Sequence, residues 1–252
     1  MEILGLDIGG SGIKGAIVNV HTGELLSERH RLATPKPATP KAVAETVQEL
    51  VAHFSWKGYV GCGFPTVVKN GQCRSHGNLS PEWVGVQVDQ LFGEHCPGAT
   101  FAVSNDADVA GIAEMELGAG KGKMGKVILI TVGTGIGSGV FYDGTLIPNV
   151  ELGRILHTDG QIIEWFASDA ARKRDGLKVR EWAPRFDLFL HQVVEIYTPD
   201  LFIIGGGISK KFDKYKDLFT VKVPIVPADF RNSAGIVGAA ALASRVFADV
   251  KS

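Results

Sequence analysis

Apolar residues alternate with polar ones, or gather in short blocks, over residues 3–8, 13–20 and 24–32, with tight turns between, so three consecutive strands are expected to open the chain. The proline-rich segment ATPKPATP ends this ribbon. From Lys41, AVAETVQELVAHF spaces its apolar residues three and four apart, which predicts a helix entered through Thr39-Pro40, a capping residue before a first-turn proline. YVGCGFP reads as a short buried strand running into a loop, VVKNGQCR as a hairpin around Asn-Gly, and FAVSNDADVAGIAEMELGAG as strand, loop and helix.

KVILITVGTGIGSGVFYDGTLIP then repeats the opening design: strand, glycine-rich reversal, strand, Asp-Gly turn, strand. A repeat on this scale implies a duplicated domain. Helical stretches over about 161–172 and 178–197 follow, then the strand LFIIGGG, a helix-like SKKFDKYKDLF, a short strand PIVPA and a small-residue helix from Ala234 suited to close packing. The expectation is an α/β protein of two similar lobes with a central cleft. The boundaries place residues 1–109 plus about 234–252 in an N-terminal lobe and 110–233 in a C-terminal one.

Charge narrows the class. Lys and Arg total 26 against 27 Asp and Glu, so no global field recruits nucleic acid or an anionic membrane. Cys62, Cys73 and Cys96 have neither paired spacing nor an even count, which fits free thiols in a reducing, cytoplasmic setting. No basic region followed by a long apolar run is seen at the start, and a soluble chain is expected. Trp165, Trp182, Phe186 and Leu188 are expected to pack in a core or interface, and His191 to be packed or solvated.

Glycine, at 32 residues against a usual share of about 7%, clusters after three predicted strands: Gly9-Gly10-Ser11-Gly12, Gly133-Thr134-Gly135-Ile136-Gly137 and Gly205-Gly206-Gly207. Without a Cβ, backbone amides can approach phosphate oxygens, and three such turns in a duplicated fold favour phosphate binding over plain hairpins. Gly10, Gly12 and Gly15 imitate a dinucleotide fingerprint, which needs a helix next; AIVNV reads as a strand, against a nicotinamide-dependent oxidoreductase. The Walker A pattern is missing.

Asp7 is costly to bury in ILGLDI unless it binds something, which suggests a metal-bound water or a phosphate nearby. Lys14 reads equally as a phosphate contact or a solvated strand lysine. Asp106, where SNDAD turns into a helix, suits a carboxylate that orients a hydroxyl and accepts its proton during phosphoryl transfer. Asn105 could hold neighbouring hydroxyls. Either of them, or Asp108, could equally be the helix cap.

LDIGGSGIKGA, GFP, SNDAD with AGIAE, VGTGIGSG, NVELG and LFIIGGGIS together resemble the ROK family of sugar kinases, within the actin-like ATPase (ribonuclease H-like) superfamily, over essentially the whole chain. ATPKPATP, IPNVELG and RNSAGIVGAA resemble its polyphosphate glucokinases. The resemblance implies two duplicated βββαβα domains and transfer of a phosphoryl group from polyphosphate, ATP or both to the 6-hydroxyl of glucose, with Asp106 as base. It implies Mg²⁺ bridging the donor phosphates, placed near Asp7 through water, and a homodimer. Sugar contacts are implied for Gly63, Pro65, Asn78, Asn105, Glu151, Arg154 and Glu164, and donor contacts for Asp7, Gly9, Gly10, Ser11, Gly12, Lys14, Thr134, Gly135, Gly206 and Gly207.

Two departures matter. The family's ELGH is ELGR here, and Arg154 cannot copy a neutral histidine's hydrogen bonding; His157 is three residues on. Thr66 replaces the usual glycine of GFPG. No cysteine follows Cys96, so the zinc site of many ROK proteins is not expected. A long polyanion favours a cationic track, for which Lys121, Lys123, Lys126, Lys210, Lys211, Lys214, Lys216 and Arg231 are candidates, each alternatively a solvated surface residue. The rival readings are a sugar or nucleotide sensor that transfers poorly, and a kinase for a different hexose.

Overall fold

The computed structural model describes residues 1–77 and 79–248. Strands β1 (Glu2–Ile8), β2 (Ile13–Asn19) and β3 (His30–Leu32) form an antiparallel ribbon. The segment expected to be strand from residue 24 is strand only at its end, because Ser27 and Leu26 bend back onto Ile17 through side-chain and backbone hydrogen bonds. Gly10, Gly12 and Gly15 thus lead into a strand and not a helix, which removes the dinucleotide reading.

Helix α1 (Pro40–His53) starts at Thr39, whose hydroxyl accepts from Ala42 N–H at 3.4 Å. Strand β4 (Gly58–Phe64), the hairpin β5 (Val68–Lys69) and β6 (Gln72–Cys73), helix α2 (Val88–His95) and strand β7 (Ala99–Asn105) follow, and α3 (Asp106–Leu117) leaves β7 without a linker. The first sheet has the order β3-β2-β1-β4-β7, with β1, β4 and β7 parallel.

Strands β8 (Lys126–Val132), β9 (Ile136–Tyr142) and β10 (Thr145–Ile147) rebuild the ribbon. Helices α4 (Glu164–Ala167), α5 (Asp169–Arg174) and α6 (Val179–Tyr197), strand β11 (Leu201–Gly205) and strand β12 (Ile225–Pro227) complete a second sheet, order β10-β9-β8-β11-β12. The two sheets share one plan: an antiparallel triplet extended by two parallel strands. Residues 161–172, expected as one helix, break at Ser168, whose hydroxyl caps α5. SKKFDKYKDLF winds as 3₁₀ turns, not an α-helix.

Helix α7 (Ala234–Ala248) returns to the first sheet. Two compact units result, residues 1–113 with the segment from Ser233 onward, and Glu114–Asn232. Each has its own core. In the first, Leu4, Leu6 and Ile8 pack with Val43, Val47 and Leu50 of α1, while the opposite face of β1 and β4 receives α7. Gly5 and Gly61 make that possible: a Cβ at either would fall on the backbone of Ile236 or Ala239. Gly238 likewise lets α7 touch the backbone of α3 at Val109. The second core gathers Trp182, Phe186, Phe189 and Phe202. Trp165 and Leu188 lie outside it, Trp165 being 55% exposed, because α4 is a single turn and Leu188 faces outward on α6.

Candidate active site

In the first unit, the site residues cluster at the carboxyl ends of β1, β4 and β7, where parallel strands commonly present ligands. The turn between β1 and β2 is closed by Gly9 N–H donating to Gly12 O at 3.0 Å. Its carbonyl edge is held from outside. Thr34 Oγ1 donates to Gly9 O at 2.5 Å, and Arg31 Nη2 donates to Ser11 O at 2.6 Å. A Cβ at Gly12 would overlap the Arg31 guanidinium, whereas one at Gly10 would meet open space.

Asp7 and Lys14 are direct cross-strand partners and form an ion pair of 3.0 Å. The side chains remain 18% and 29% exposed. Lys14 is therefore neither simply solvated nor uncommitted. Asp7 lies on the α7 face of β1, against Gly235 near the helix start.

Gly63 pairs with Asp7 on one side and Ser104 on the other. Its missing side chain admits the start of α3: a Cβ there would lie 2.8 Å from Val109 Cγ2 and 3.5 Å from Asp106 Cα. Asn105, not Asp106, is the main cap, its Oδ1 accepting from Ala107 N–H at 2.8 Å and Asp108 N–H at 3.1 Å. Its Nδ2 donates to Thr66 O at 3.3 Å. Asp106 Oδ1 accepts from Ala107 N–H at 2.8 Å, and the side chain is half-buried.

The Thr66 hydroxyl bonds to Ser75, 2.6 Å from Ser75 Oγ. Gly77, at φ +53°, packs under Pro65 O. Asn78 lies outside the described residues.

In the second unit, the β8–β9 turn repeats the first, Gly133 N–H donating to Gly135 O at 3.0 Å, with Thr134 exposed at its tip. Glu164 Oε2 accepts from Ile136 N–H at 2.8 Å and fills the space a Cβ on Gly135 would need. Gly206, at φ +75°, sits against the Val132 backbone, so the second and third glycine clusters are neighbours. Gly207 opens the following 3₁₀ turns.

Glu151 precedes a 3₁₀ turn, Leu152–Arg154, that rests on Ile136 through Gly153. Burial pushes the Glu151 carboxyl above the ordinary glutamate range; the Arg154 charge opposes this and the Glu164 charge adds to it. Glu151, Arg154 and Glu164 are thus one electrostatic group, and Glu164 links it to the glycine turn. His157 stacks on Phe166, ring centroids 4.4 Å apart, and lines a cavity of about 330 Å³ with Arg174, Asp175 and Arg185.

The proposed cationic track is partly committed elsewhere. Lys126 Nζ donates to Thr198 Oγ1 at 2.9 Å and Lys216 pairs with Asp213 at 2.5 Å, while Lys121, Lys123, Lys210, Lys211 and Lys214 are exposed. Arg231 takes a left-handed backbone, φ +50°, just before α7. Sequence reasoning missed Arg31 and Thr34 at the first turn. The signal was present in ERHRLATP, but it needed the strand register that sets Arg31 opposite Lys14. Among the described residues, no three His, Cys, Asp or Glu side chains group as a metal site, and no helix is long and apolar enough to cross a membrane.

The sequence profile of the ROK family matches residues 3–158. The chain is 45% identical to a polyphosphate glucokinase of Mycobacterium tuberculosis over 94% of its own length and 89% of that protein's, and 42% identical to the Mycobacterium leprae polyphosphate glucokinase over 94% and 72%. The crystal structure of an inorganic polyphosphate/ATP-glucomannokinase from Arthrobacter sp. strain KM superposes with a TM-score of 0.92 at 43% identity, covering 100% of this chain and 99% of that one. A ROK family glucokinase from Streptomyces griseus, solved with glucose and AMPPNP, shares the fold with a TM-score of 0.83 at 24% identity, covering 97% and 100%.

Proposed function

The chain belongs to the ROK family, and on that basis we propose that it is a glucokinase that transfers a phosphoryl group from polyphosphate, ATP or both to the 6-hydroxyl of glucose. Its actin-like ATPase fold and its likeness to polyphosphate glucokinases support the reading. The observation that carries the chemistry is the β7–α3 corner. Asn105 accepts from two N–H groups of the first helical turn, and beside it the half-buried carboxylate of Asp106 stands at the end of three parallel strands.

In this reading Asp106 orients the glucose 6-hydroxyl and takes its proton as the oxygen attacks phosphorus. Gly63 and Pro65 line the sugar side beside it, and Asn105 has one amide N–H left to offer. Asn78, outside the described residues, is assigned to the same side. Glu151, Arg154 and Glu164 complete the hexose contacts, with Arg154 offering donors only.

Donor phosphates are assigned to the amides of the two repeated turns, Gly9 to Gly12 and Thr134 to Gly135, and to Gly206 and Gly207, with Asp7 and Lys14 beside the first turn. Mg²⁺ suits a site of this kind: a hard cation usually takes one or two carboxylates plus substrate phosphates, and the partly exposed Asp7 supplies one carboxylate. Bound there, it would neutralise charge on the donor phosphates.

We further assign a homodimer and a cytoplasmic location; the three buried free cysteines fit a reducing compartment. Light scattering tests the first. The function is tested by following phosphate transfer to glucose, and to mannose given the Arthrobacter enzyme's name, with each donor in turn. Transfer to glucose that is lost in Asp106→Asn supports the reading, and no transfer to any hexose from either donor overturns it.

A further inference from the structure

Asp7, Lys14 and Arg31 form one row across β1, β2 and β3: Asp7 is the register partner of Lys14, and Lys14 of Arg31. The row carries one negative and two positive charges. Asp7 neutralises Lys14 at 3.0 Å. Arg31 spends one N–H on a neutral acceptor, Ser11 O, and among the described residues it has no carboxylate partner. It is exposed. The guanidinium also lies over Gly12, so closely that only glycine fits beneath it.

An arginine that merely braced a turn would be as well served by any neutral donor. A guanidinium carries five N–H groups in a planar fork that matches phosphate oxygens, and one bond to a carbonyl leaves the rest available. The charge is therefore held in place by Ser11 O without being cancelled by it. We infer that Arg31 is a donor-binding residue that grips a non-transferred phosphate of the phosphoryl donor at the β1–β2 turn. This rests on the phosphotransferase reading above and extends it to a residue on β3 that the glycine motif does not include.

The test uses the whole protein and its Arg31→Gln variant, with steady-state kinetics for polyphosphate, ATP and glucose at several ionic strengths. The expected result is a donor KM raised about tenfold, a shallower salt dependence because one exposed cation is gone, and a glucose KM unchanged. A rise with polyphosphate alone places Arg31 on the chain beyond three phosphates; a rise with both donors places it on phosphates they share. An unchanged donor KM and salt slope, or a fall in kcat alone, overturns the inference and leaves Arg31 a brace for the turn.

Direct titration of each protein with polyphosphate separates this inference from the reading it rests on. Weaker binding by the variant supports it even without transfer, and equal binding overturns it. Should the variant fail to fold, dicarbonyl modification of the unaltered protein gives the answer: polyphosphate or ATP, but not glucose, should protect Arg31 in peptide mapping, and equal labelling with and without donor overturns the inference.

Discussion

The Asp7 carboxylate and the Gly235 backbone face each other with no room for a methyl group: a Cβ at 235 would lie 2.9 Å from Asp7 Cγ. Gly235→Ala is therefore expected to push Asp7 away from Lys14 or α7 away from β1. Overpacking of this kind costs about 1–3 kcal/mol, read by urea denaturation. Transfer activity should fall further than that of an alanine variant at Gly10, where a Cβ would meet open space.

Asn105 and Asp106 are neighbours with separable duties. Asp106→Asn should lower kcat by about 10²–10⁴-fold while the denaturation midpoint barely moves. Asn105→Ala removes the acceptor of two helix N–H groups and should destabilise by about 0.5–2 kcal/mol. Paired denaturation and transfer measurements on the two variants check the division.

The Glu151 group predicts how activity responds to pH. Its carboxyl titrates above the ordinary range in the folded protein, because burial and Glu164 outweigh Arg154. If glucose needs the ionised form, the acid limb of kcat/KM for glucose lies correspondingly high. Arg154→Ala removes the lowering charge and should move that limb to higher pH; Glu164→Gln removes the raising charge, keeps an acceptor for Ile136 N–H, and should move it lower. For stability the sign is the reverse of a salt-bridged acid. A raised carboxyl favours the fold when protonated, so this contribution is present at low pH and is lost as pH rises through the folded-state value.

Glu114, fully buried on α3, accepts from Ala119 N–H at 3.0 Å, Asp229 N–H at 3.0 Å and Phe230 N–H at 2.8 Å. Glu114→Ala strands three donors, each costing about 1–3 kcal/mol when left unpaired. The expected loss is several kcal/mol, with Glu114→Gln between the two. Thermal and urea unfolding measure it.

Much of this was legible in the sequence where the signal is local. The duplicated strand–turn–strand blocks, the helix entered at Thr39-Pro40 and the Asn70-Gly71 hairpin depend on neighbours a few residues away. What escaped depends on register or on distant backbone. The bend at Ser27 exists because its hydroxyl meets Ile17, and the break at Ser168 because that side chain caps a helix. Arg31 became part of the first turn only once β3 was aligned with β2. Trp165 is large and apolar but sits on the outward side of a one-turn helix, 55% exposed.

Helix α7 gives the molecule an order of assembly. The groove over Gly5 and Gly61 is formed by residues that precede the second unit in the chain, yet its occupant is synthesised only after the whole of that unit. Until Gly235 arrives, Asp7 lacks its neighbour and the back of β1 and β4 stays open to water or to other chains, the condition under which chaperones engage nascent domains. The surroundings of Asp7 are therefore completed by a segment that follows the whole second unit in the chain, although Asp7 itself precedes that unit.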